Sequence, residues 1–140
     1  MSNALVPEFA VSDFAASKRF YCRHLGFACV YERPEDGFAY LALGKAELMI
    51  DQIGQGRSFD NGHLPRTYPF DKGVNVQIKV PAIAPMLVAL DAAQWSLYLP
   101  PEERWYRCDD TRLGHRQFVV ADPDGYLLRF YEPLGGRPIS

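Results

Sequence analysis

One order of elements occurs twice along this chain, and that repetition constrains its folding more than any other feature. Glu8-Phe9-Ala10-Val11 is a short apolar run that reads as a strand. Pro7 precedes it and has no N–H to give to a ladder, so the strand starts late or lies at an edge. Ser12 and Asp13 supply N-cap chemistry, and Phe14, Tyr21 and Leu25, with Phe20 beside them, follow a helical period. Gly26 suits the helix end. Strands are expected over 27–31, 38–43 and 46–52, parted by the turn cluster Pro34-Glu35-Asp36-Gly37 and by Gly44-Lys45. This half reads βαβββ.

Residues 54–72 interrupt the pattern with Gly54, Gly56, Gly62, Pro65 and Pro69. A loop this long within a domain is usually functional or a linker. Its Phe59, Tyr68 and Phe70 imply that it packs against something. The pattern then restarts. Val74, Val76, Ile78 and Val80 alternate with Asn75, Gln77 and Lys79, as in a half-buried strand. A helix is expected over 81–94, with Pro85 tolerable only in its first turn. Strands are expected over 95–99, stopped by Pro100-Pro101, then briefly at 105–107, and over 114–121 and 126–132 around the turn Asp122-Pro123-Asp124-Gly125. With the brief 105–107 run counted within a wider turn region, the second half is again βαβββ. The expected architecture is therefore α+β: one domain of two tandem βαβββ modules, about 5–53 and 73–134. They would form a curved mixed sheet with helices outside and a ligand cavity on the concave side.

Composition narrows the function classes. With 9 Phe, 8 Tyr and 2 Trp among 140 residues, the chain is too aromatic for disorder. Its 15 Lys and Arg balance 17 Asp and Glu without a basic stripe, which argues against nucleic-acid binding. No apolar run is long enough to span a bilayer, and no secretory leader is visible, so a cytoplasmic protein is expected. Cys22, Cys29 and Cys108 contain no Cys-x-x-Cys and read as reduced thiols, with Cys108, beside charged residues, the one to test for reactivity. Phosphate-binding and nucleophile-elbow motifs are absent. The adjacent acidic pairs at 35–36, 102–103 and 109–110 point to opposite faces of any strand and make poor acid–base couples.

Three stretches carry a resemblance. Asp13-Phe14-Ala15-Ala16-Ser17-Lys18-Arg19-Phe20-Tyr21 with Leu25-Gly26-Phe27 is similar to the first helix of the vicinal oxygen chelate superfamily, which includes glyoxalases, bleomycin resistance proteins and extradiol dioxygenases. Gly73-Val74-Asn75-Val76-Gln77-Ile78-Lys79-Val80 resembles the start of that family's second module. Asp122-Pro123-Asp124-Gly125-Tyr126-Leu127-Leu128-Arg129-Phe130 resembles its terminal hairpin. Together with residues 100–107 and 114–118, the pattern is most similar to the bleomycin-resistance branch. A shared fold does not fix function.

The resemblance implies where a metal would sit in the family's enzymes: at Val6 and Asn75 in the module-opening strands, and at Arg129 and Asp51 in the closing ones. Valine has no donor atom, asparagine is a weak neutral ligand and arginine repels a cation. His24, His63 and His115 have no metal-ligand spacing. A metal-free site with no cofactor is therefore expected. Phe38 and Tyr40 share strand parity, Trp105 and Tyr106 adjoin a polar loop, and Asp51 ends an apolar strand. Aromatic walls stack flat groups and hold cations over their faces. The expected ligand-binding set is Phe38, Tyr40, Asp51, Asn75, Trp105, Tyr106 and Arg129. It would bind a cationic aromatic small molecule of the bleomycin glycopeptide type, giving antibiotic resistance by sequestration. The resemblance also implies a homodimer, often with exchange of the N-terminal strand, and ligand crevices between chains. The rival readings are a metal-dependent glyoxalase-like lyase or isomerase, a dioxygenase, or a binding module for an endogenous metabolite.

Overall fold

The computed structural model describes residues 2–56 and 62–139; Phe59 lies outside them. The first strand, β1 (Glu8–Val11), begins directly after Pro7 and leads into helix α1 (Phe14–Arg19). The Asp13 side chain caps that helix by accepting from the Ala16 N–H. The helical segment continues as a π-helical turn, Phe20–His24, and Gly26 ends it at φ +84°. Strands β2 (Ala28–Arg33), β3 (Phe38–Leu43) and β4 (Ala46–Gln52) follow. They form one four-stranded sheet in the order β1-β4-β3-β2, in which β1 runs parallel to β4 of its own chain. Register and alternation give this sheet two unlike faces. Phe9, Val11, Leu41, Leu48 and Ile50 are buried on one. Glu8, Ala10, Met49, Asp51, Phe38, Tyr40, Tyr31 and Arg33 share the other.

The second sheet has the order β5-β8-β7-β6, from β5 (Asn75–Lys79), β6 (Leu99–Cys108), β7 (Thr111–Ala121) and β8 (Leu127–Pro138). Helix α2 (Ala84–Ala92) is shorter than its apolar pattern predicts, and Pro85 is its second residue. No side chain of its own caps it; Glu132 of β8 accepts from the Ile83 N–H at 3.0 Å instead. Ile78, Phe118, Val120, Leu128 and Phe130 bury one face of this sheet.

Two expectations in this half are corrected. Residues 95–98 form no strand; Trp95 instead donates its ring N–H to the Ala121 carbonyl at 2.9 Å. Pro100-Pro101 does not stop a strand either, because β6 runs through both residues. The reason is position: β6 is an edge strand and its register shifts between Leu99 and Glu102, so neither proline has to donate an inward hydrogen bond.

The chain divides into two compact units. The first holds the residues up to Gly73 together with Asp122–Tyr126, and the second holds Val74–Ala121 with the chain from Leu127 on. Within the first unit the Asp-Pro-Asp-Gly turn is tightly bound. Asp122 is 2 % exposed and accepts from the Tyr21 hydroxyl at 2.6 Å and from the Asp124 and Tyr126 N–H groups at 2.9 Å each. Asp124 accepts from Ser12, and Tyr126 stacks on Phe9 at 4.2 Å while its hydroxyl donates to the Ala10 carbonyl. Phe70, from the Gly/Pro-rich stretch, packs edge-on against Tyr126.

Candidate functional site

Strand parity gathers an aromatic and acidic surface on the first unit. Tyr31 stacks over Tyr40 with ring centres 5.3 Å apart and planes 19° from parallel. Phe38 lies beside them, 5.9 Å from Tyr31. The Arg33 guanidinium sits 4.1 Å above the Phe38 ring and within 3.4 Å of Asp36. Phe38 and Tyr40 belong to the expected ligand-binding set, but they are only 5 % and 7 % exposed. They serve as the floor, and the ring that reaches solvent is Tyr31, 46 % exposed. The sequence reading missed Tyr31 because it ended β2 there. The alternation that pairs Tyr31 with Arg33 shows only when the strand runs on to Arg33.

A cleft of about 280 Å³ opens on this surface between Tyr31, Arg33, Phe38, Met49, Asp51 and Glu8. A neighbouring one of about 270 Å³ includes Glu8, Ala10, Asp51 and His63. Asp51 is opposite Ala10 on one side and Phe38 on the other, on the same face as Glu8. Burial, reinforced by the Glu8 and Asp36 carboxylates, pushes the Asp51 carboxyl up to about 6, against the opposing pull of Arg33. A carboxylate held this way gains from any cation placed beside it.

The second unit carries the other expected residues, and they do not all meet. Tyr106 and Arg129 lie on the face opposite the apolar core, where Arg129 is opposite Val119 and Gln77. Tyr106 accepts from the Gln117 amide at 2.7 Å. Asn75 is exposed on β5, on the Gln77 side of that strand. Trp105 is a correction. It directly precedes Tyr106 in an extended strand, so it points to the opposite face. Its ring lies over Gly114, where an added Cβ would come within 2.6 Å, and the Arg137 guanidinium covers it at 3.8 Å. Trp105 and Tyr106 therefore cannot line one crevice on the second unit.

The register also moves one metal-ligand position. With Asp51 and Arg129 as equivalent residues, the counterpart of Asn75, opposite Leu127, is the residue opposite Met49. That residue is Glu8, not Val6. The first unit then offers two carboxylates and the second an amide and a guanidinium. Among the described residues no group of three or more His, Cys, Asp or Glu converges. Taken by itself, the first unit's pair, Glu8 and Asp51, falls short of the three protein ligands of a catalytic zinc site.

Paired βαβββ units with a ligand-sized, aromatic sheet face define an α+β protein of the glyoxalase type. The model of the Glyoxalase/Bleomycin resistance protein/Dioxygenase superfamily matches residues 5–94, and the chain belongs to that superfamily. A bleomycin resistance protein of Geobacillus stearothermophilus is 27% identical over 137 residues, covering 92% of this chain and 96% of the relative. One from Staphylococcus aureus matches to the same extent. The crystal structure of TioX from Micromonospora sp. ML1 superposes with a TM-score of 0.69 at 22% identity, covering 94% of this chain and 100% of that one. A virulence protein of Salmonella typhimurium superposes at 0.67 with 19% identity, over 94% and 97% of the two chains. These likenesses establish the shared fold. No helix among the described residues is long and apolar enough to cross a membrane.

Proposed function

We propose that the protein binds, without a metal and without changing it, a cationic aromatic small molecule of the bleomycin type. The observation that carries this reading is the Tyr31–Tyr40 stack beside Asp51 and Glu8. The surface already holds a cation of the chain's own: Arg33 lies over Phe38 and 5.9 Å from the Tyr31 ring. A ligand cation entering there exchanges with Arg33, and its flat portion stacks on Tyr31. The homology to bleomycin resistance proteins supports the drug class. Sequestration then works by mass action: the bound fraction is withdrawn from its target.

The test is a calorimetric titration with metal-free bleomycin. Loss of a stacking aromatic costs about 1–3 kcal/mol, so Tyr31→Ala should weaken binding roughly ten- to hundredfold. Trp105→Ala should leave affinity unchanged. No heat with the wild-type chain, or equal affinity for Tyr31→Ala, overturns the reading. Elemental analysis after metal supplementation checks metal independence, and one tightly held divalent ion per chain contradicts it. A homodimer belongs to the same proposal, because it would cover edge strands such as β2 and β6, whose outer sides pair with no strand among the described residues. Light scattering should give about twice the 15.9 kDa chain mass.

A further inference from the structure

The second unit presents chemistry opposite to that of the first. Its sheet face holds three buried polar atoms with no hydrogen-bond partner among the described residues: Arg129 Nε, His115 Nδ1 and Gln117 Oε1. Leaving such atoms unpaired costs stability, so three on one face call for an explanation. Register places them together. Arg129 is opposite Val119, and Gln117 is opposite Tyr131, so residues 115, 117, 119, 129 and 131 face the same way.

Gln117 is 2 % exposed, and its amide nitrogen is fully used, donating to Glu102 at 2.8 Å and to Tyr106 at 2.7 Å. That fixes which end of the amide is left over: the acceptor oxygen. The His115 ring stacks on Tyr131 at 3.9 Å and 17°, with Tyr106 edge-on at 5.2 Å. A cleft of about 400 Å³ opens among Gln77, Tyr106, His115, Arg129 and Tyr131. Among the described residues, register and alternation set Lys79, Arg104 and Arg129 on one face with a single carboxylate, Glu102, which Gln117 already engages.

We infer that this cleft binds a small planar carboxylic acid that carries a hydrogen-bond donor beside its carboxylate. The guanidinium edge of Arg129 presents parallel N–H groups, which match the two oxygens of a carboxylate. His115 Nδ1 can donate a further bond, and Gln117 Oε1 accepts one from the ligand's hydroxyl or amine. The flat body of the acid lies against the aromatic side chains of Tyr106, His115 and Tyr131. The inference goes beyond the cation reading: it concerns a different sheet and the opposite ligand charge, and it does not depend on Tyr31 or Asp51.

The test is a titration of the full chain with salicylate, followed by amide proton–nitrogen NMR. Benzoate lacks the donor and salicylamide lacks the charge. Saturable shifts should centre on residues 115–119 and 127–131. Benzoate should bind more weakly than salicylate, and salicylamide should not bind there. Arg129→Gln should weaken salicylate roughly tenfold or more, the scale of a lost charge-assisted pair. A thermal melt checks that the variant is folded; if it is not, the charge comparison on the wild-type chain decides. Absence of salicylate binding, equal binding of salicylamide, shifts confined to the first unit, or full affinity in folded Arg129→Gln overturns the inference. A negative bleomycin titration bears only on the first unit, so the two proposals fail separately.

Discussion

Removing one hydroxyl from the centre of the first unit should destabilise the protein by an amount that depends on pH. Tyr21 is fully buried, and its hydroxyl donates to Asp122 Oδ2 at 2.6 Å. The other carboxyl oxygen of Asp122 receives the Asp124 and Tyr126 N–H groups, which Tyr21→Phe leaves in place. Burial pushes the Asp122 carboxyl up to about 6 from an ordinary 3.8, while the Tyr21, Tyr126 and Asp124 hydrogen bonds hold it down. Between these values the folded state binds the proton more tightly than the unfolded chain. The contribution of Asp122 to stability is therefore fully present below the unfolded value and is lost as pH rises through about 6. Tyr21 limits that loss by bonding the ionised form. In Tyr21→Phe a hydrogen bond to a charged group disappears at about pH 8, costing about 1.5–3 kcal/mol. At about pH 5 the carboxyl is mostly neutral and the cost falls to about 0.5–1.5 kcal/mol. Urea unfolding at the two pH values measures the difference, and in a melt at the higher pH the variant should lose roughly 5–10 °C. An equal loss at both pH values would refute the role of Tyr21 in holding the ionised carboxylate. No loss at all would refute the buried pairing.

The remaining expectations are independent of that pair. Because burial raises the Asp51 carboxyl to about 6, cation binding on the first unit should strengthen as pH rises from about 5 to about 7.5, and Asp51→Asn should abolish the dependence; calorimetry at both pH values measures it. Gly125 sits at φ +91°, and a Cβ there would come within 2.6 Å of Pro69, so Gly125→Ala should cost on the order of 2 kcal/mol or more in urea unfolding. Burial raises the thiols of Cys22 and Cys29, whereas Cys108 is exposed, so timed alkylation with peptide mapping should modify Cys108 first.

The sequence by itself determined the order of elements. Strands β3 and β4 lie within their predicted bounds because turn clusters and strict alternation delimit them locally, and Asp13 and Gly26 bracket the first helical segment for the same reason. The parity that sets Phe38 and Tyr40 on one face was equally legible, since a strand alternates whatever surrounds it, whereas Asp51 joins them only through the β3–β4 register. Only the tertiary structure decided which rings reach solvent. Tyr31 stands exposed over Tyr40 because β2 is an edge strand stacked across β3, a relation that no local pattern encodes. The same holds for Pro100-Pro101, which reads as a stop until the strand that carries it is known to lie at an edge. It holds as well for Arg129, His115 and Gln117, whose unpaired atoms share a face only once β7 and β8 take their register. Local chemistry fixes where an element begins and ends; its neighbours fix what it can touch.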